Sequence, residues 1–227
     1  MRFDEISKTI QLTVTNQSTR ITTFVMTMLL AFAGFEHGLF ASLQGNKPTG
    51  GFFIMAIGDE HLWWKYGGEG AVTVIHNFLF SGITAMSVSF AIVFWAWRFV
   101  HRKNGVLVLL LLFILLTSVG GGIGFTPFYL ITCAYATRIS KPLNWWRRVL
   151  SSGVRKRLAP IWPYSLAVAV LSWLLALEIA VFGYVPGQDD PEILINICWS
   201  FLLLTFIMAN LSYISGFAND IGRQGNV

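Results

Sequence analysis

The chain has 227 residues, of which 55% are hydrophobic and only 12% charged, and its mean hydropathy is +0.62. A soluble domain carries about 25% charged residues, so the composition excludes an ordinary soluble fold and points to a polytopic membrane protein. The net charge of +5 does not point to nucleic acid, because the basic residues sit at the ends of apolar runs, where membrane topology accounts for them.

A bilayer core of about 30 Å needs roughly 20 helical residues. The apolar runs 21–43, 71–97, 160–183 and 192–214 each predict one span. The stretch 105–137 is too long for one ordinary span and short for two. Its centre, VGGGIGFTP, holds four glycines and Pro127. Such a cluster of helix breakers predicts two short helices, 106–119 and 125–137, joined by a glycine turn. The expected fold is an all-α bundle of six membrane helices forming one domain over 1–227.

Charge supports the even number of crossings. Arg98, Arg102 and Lys103 follow the second run, and Arg138, Lys141, Arg147, Arg148, Arg155, Lys156 and Arg157 follow the glycine-turn pair. A pair of short crossings, or a re-entrant hairpin, keeps both groups on the cytoplasmic side. Both termini are then cytoplasmic, and of the 16 Lys and Arg only Lys47 and Lys65 lie outside. The outer loops are acidic, with Asp59, Glu60, Glu69, Asp189 and Asp190. A bacterial cytoplasmic membrane is the expected location. AFAG at 31–34 also has the form of a cleavage site after a short apolar region. The long polar segment before it, with Asp4 and Glu5, argues against that use.

Two segments are expected at the membrane surface. LNWWRRVLSSGVRKRL at 143–158 places Leu143, Trp146, Leu150 and Val154 on one helical face. Arg147, Arg148, Arg155, Lys156 and Arg157 then meet anionic lipid. Trp63, Trp64 and Tyr66 in the first outer loop suit the headgroup level. Cys133 and Cys198 lie inside apolar runs with no C-x-x-C, and are expected as buried small side chains.

Ionisable groups inside spans are costly, so each needs a reason. Glu36 and His37 lie toward the outer end of the first run, His76 and Asn77 at the start of the second, Glu178 and Asn196 near the outer ends of the last two. This shared depth predicts an outward-opening polar site, with the glycine turn at the same face. Gly34, Gly38 and Ala41 form a small-residue stripe that admits a neighbouring helix. His37 falls on nearly that side, so it should face protein.

The candidate ligand-binding set is Glu36, His37, His76, Asn77 and Glu178. Glu36, His37 and His76 are also a candidate metal set, and two histidines from two helices could ligate haem. The working expectation is a site that binds or passes a small polar solute or ion. The alternatives are a membrane enzyme using Glu36, His37 and His76, with or without a divalent metal, and a structural or assembly subunit. The outer segment DEHLWWKYGGE could also collect a cation through Asp59, Glu60, His61 and Glu69.

The run F-E-H-G, followed by Gln44, Gly45 and Asn46 and by a later G-G-G-x-G, resembles small uncharacterised multipass proteins of bacterial membranes. The resemblance implies a location and no chemistry.

Overall fold

The computed structural model describes residues 15–224. The chain is an all-α bundle. Its elements are α1 (Gln17–Leu43), β1 (Phe53–Met55), β2 (Gly70–Val72), α2 (Phe78–Arg98), α3 (Gly105–Ser118), α4 (Thr126–Ala136), α5 (Asn144–Val149), α6 (Ser152–Leu158), α7 (Trp162–Phe182) and α8 (Pro191–Gln224). The helices containing α1, α2, α7 and α8 are long and apolar enough to cross a membrane. Their outward residues are large and apolar, among them Phe32, Phe90, Leu171 and Leu203, each more than half exposed. An exterior of that kind suits lipid and not water.

α1 is the central helix. In its most apolar window 61% of the residues are buried, against 22% for α8. It touches α2, α4, α7 and α8. Gly34 and Gly38 make this possible: Gly34 lies against Leu116 of α3, and Gly38 against the backbone of Gly82 on α2. The core beneath them holds Leu30, Ile92, Phe113, Trp173 and Tyr213.

The glycine-rich stretch does form a turn between two short helices. Phe113 of α3 stacks on Tyr129 of α4, with ring centres 4.2 Å apart. Ser140, after α4, donates to the carbonyl of His101, before α3, at 3.0 Å. The pair is therefore a hairpin that returns to the end at which it started.

α1 begins four residues before the expected run, at Gln17, and three further boundaries differ from the sequence expectation. The second run becomes helical only at Phe78, because residues 70–72 are a strand and Asn77 caps the helix by accepting from Phe80 N at 3.2 Å. His76 and Asn77 therefore precede the helix and are not in its first turns. The last helix runs ten residues past 214, to Gln224. The segment 143–158 is two short helices broken around Leu150, and not one continuous helical face. Leu143 and Trp146 pack on Phe217 of α8, and Arg155 donates to the carbonyls of Arg147 and Leu150, tying the halves together.

Candidate functional site

The loop between α1 and α2 carries the site's missing half. β1 and β2 pair antiparallel, with Phe53 opposite Val72 and Ile54 opposite Ala71. Gln44, at the end of α1, donates to the carbonyls of Met55 and Ala56, both at 3.0 Å. Thr73 bridges to Val119, and Ser81 of α2 donates to the Val119 carbonyl at 2.9 Å. These bonds hold the loop against the glycine turn. On the other side Trp64 donates to the carbonyl of Ala180 on α7 at 3.0 Å. Its ring fills the space above Gly183, whose positive φ of 60° ends α7.

So anchored, the loop turns Glu69 inward onto His37. His37 Nε2 lies 2.9 Å from Glu69 Oε2. The ring N–H is off the line between them, so the contact is close but is not an aligned hydrogen bond. The other ring nitrogen, Nδ1, donates to the carbonyl of Ala33, one turn back, at 3.0 Å. Both nitrogens thus face oxygen atoms, the Ala33 carbonyl and the Glu69 carboxyl. Phe125 meets the ring edge-on at 5.3 Å. Gly122 sits so close that a Cβ there would stand 2.9 Å from Nε2, and its φ of +84° suits glycine. The glycine turn is a wall of the site.

Glu69 is half-buried. Burial pushes its carboxyl up, but the His37 contact and charge outweigh this and hold it below the ordinary value. Glu36 is one residue along α1, and its Oε2 is buried without a hydrogen-bond partner. Glu36, His37, Phe40, Ile57, Glu69 and Val181 line a cavity of about 10 Å³. That is room for about one water molecule.

The other expected members lie elsewhere. His76 is exposed, and its ring tilts against Phe52. Asn77 donates to Asn46 Oδ1 at 2.7 Å and caps α2. Glu178 is half-buried on α7 and does not line the cavity, although Ala180 and Val181 do. Asn196 is exposed. In the outer loop Asp59 and Glu60 stay exposed while Glu69 turns in, so the DEHLWWKYGGE segment does not gather its acids. Among the described residues no group of three or more His, Cys, Asp or Glu is arranged to hold a metal ion. Cys133 and Cys198 are free and buried.

A second polar locus lies at the opposite end of α1. The carboxylate of Asp220, on α8, accepts from Ser18 N at 2.8 Å, Thr19 N at 3.0 Å and Thr19 Oγ1 at 2.7 Å. It satisfies the first turn of α1 from another helix, where the helix dipole favours negative charge.

The fold and its apolar exterior define an all-α membrane helix bundle in which a loop closes a half-buried acid onto a buried histidine. Comparison with the models of known families, with curated proteins and with solved structures finds no match.

Proposed function

We propose that this multipass protein binds a proton or a small cation from the outer face of its membrane, at Glu36, His37 and Glu69. The observation that carries the reading is the 2.9 Å contact between His37 Nε2 and Glu69 Oε2, made across the seam between helix and loop. A charge change on either partner alters the hold of the loop, and the unpartnered Glu36 oxygen beside them offers the acceptor. The cavity narrows the ligand: about 10 Å³ suits a water or a bare ion and no larger solute.

The basic residues support an orientation with both termini and the α4–α7 connection in the cytoplasm of a bacterial-type membrane. Arg147, Arg148, Lys156 and Arg157 are exposed and meet anionic lipid there, while Arg155 is held by backbone carbonyls.

A second reading is a packed polar network that only fastens the loop, and the small cavity favours it. A pH-sensitive dye outside sealed vesicles holding the protein separates the two. Reversible proton or cation-linked proton exchange that Glu36→Gln removes supports binding. No exchange in the intact protein leaves the packing role.

A further inference from the structure

The outside of α1 and α2 carries a groove that runs toward a cluster of arginines. Three stretches of about 270, 510 and 360 Å³ follow one another along the helix pair. The first and second share Phe90 and Val93, and the second and third share Phe24 and Trp97, so the three adjoin as one open groove along the pair. Phe32 and Phe35 line its far end, and Arg20 its near end. From Arg20 to Phe35 the groove follows about 22 Å of helix, more than the ~15 Å depth of one leaflet.

The near end is strongly basic. Arg20 donates one N–H to the carbonyl of Trp97 at 3.3 Å, which fixes its guanidinium at the groove mouth. Arg98 and Arg102 flank the ring of Phe99, at 5.7 and 4.9 Å. The three surround His101, whose basicity is lowered by burial and then by Arg20, Arg102 and Arg98. Among the described residues no Asp or Glu is in ion-pair contact with any of these arginines. An apolar groove longer than one leaflet is deep, ending in guanidinium groups that no described acid neutralises, is complementary to one kind of molecule.

We infer that the groove between α1 and α2 is a binding site for a single anionic phospholipid, its acyl chain along Phe24, Phe90 and Val93 and its phosphate at Arg20, Arg98 and Arg102. Arginine forks match phosphate oxygens, and Trp97 stands at the level of the ester groups. The site is separate from the basic surface at 147–157 and from the Glu36–His37–Glu69 site.

The full chain in vesicles, probed with spin-labelled phosphatidylglycerol and phosphatidylcholine, tests this. Motionally restricted label should favour phosphatidylglycerol. Arg20→Gln/Arg98→Gln/Arg102→Gln should reduce that preference by about five-fold or more, the scale of a membrane-surface basic contact. Arg147→Gln/Arg148→Gln/Lys156→Gln/Arg157→Gln should leave most of it. Val93→Trp, which fills the groove and keeps the arginines, should also release the label. These positions are exposed or only partly buried, and unchanged helical circular dichroism controls for folding. The inference is overturned if the first variant keeps the preference, if Val93→Trp has no effect, or if inorganic phosphate alone displaces the label.

Discussion

Gly82 of α2 stands directly against the carbonyl of Gly38 on α1, with no space for a Cβ between them. Backbone meets backbone here, as small residues allow in membrane helix pairs. Gly82→Leu should therefore separate the helices and destabilise the bundle by about 1–3 kcal/mol. Gly222→Ala, at an exposed helical position with open space around it, should change stability by under about 1 kcal/mol. Denaturant titration of the detergent-solubilised protein compares the two.

Asp220→Ala should cost about 1–3 kcal/mol, because it leaves Ser18 N and Thr19 N buried without an acceptor. Asp220→Asn keeps one acceptor oxygen and should lose less. Amide exchange should show the effect first at the start of α1.

How much of this is legible in the sequence can be judged residue by residue. The all-α class follows from hydropathy and length. That His37 faces protein follows from its phase with Gly34, and it is 6% exposed. Glu69 is different. Its partner lies 32 residues away, and only the β-hairpin and the Trp64 anchor turn it inward. Locally it reads as another outer-loop acid, and the glycines around it, GGEG, are the one hint of close packing. Hydropathy averages across a helix start and so puts His76 and Asn77 inside a span, although an Asn before an apolar run is a capping signal. Asp220 is hidden in the sequence because a span of average length ends before it, while packing against α1 extends the helix to Gln224.

Trp64 fastens the loop to α7, so its removal should free the loop before the bundle. Trp64→Phe loses the bond to Ala180 and should cost about 1 kcal/mol. Trp64→Ala also empties the space above Gly183 and should cost about 2 kcal/mol. Hydrogen exchange across 45–77 should rise in that order, with the cores of α2 and α8 unchanged.

The acid limb of stability follows from Glu69. Its folded carboxyl titrates below the ordinary value of 4.5, so the unfolded chain binds the proton more readily. The contribution of Glu69 is whole above that value and is lost as pH falls through the lower folded one. Glu69→Gln should flatten this part of the stability–pH curve and loosen the loop at neutral pH. An unchanged acid limb would show that the carboxylate does not hold the loop.

The central claim is an exchangeable acid–histidine site on the outer face. Infrared difference spectroscopy of the carboxyl bands tests it most directly, in sealed bilayers with the outside pH stepped. Bands that follow the outside pH are predicted, with the Glu36 band missing in Glu36→Gln and the Glu69 band moved to higher pH in His37→Ala. Carboxyl bands that ignore the outside pH, or a Glu69 band that His37→Ala leaves in place, would contradict the account.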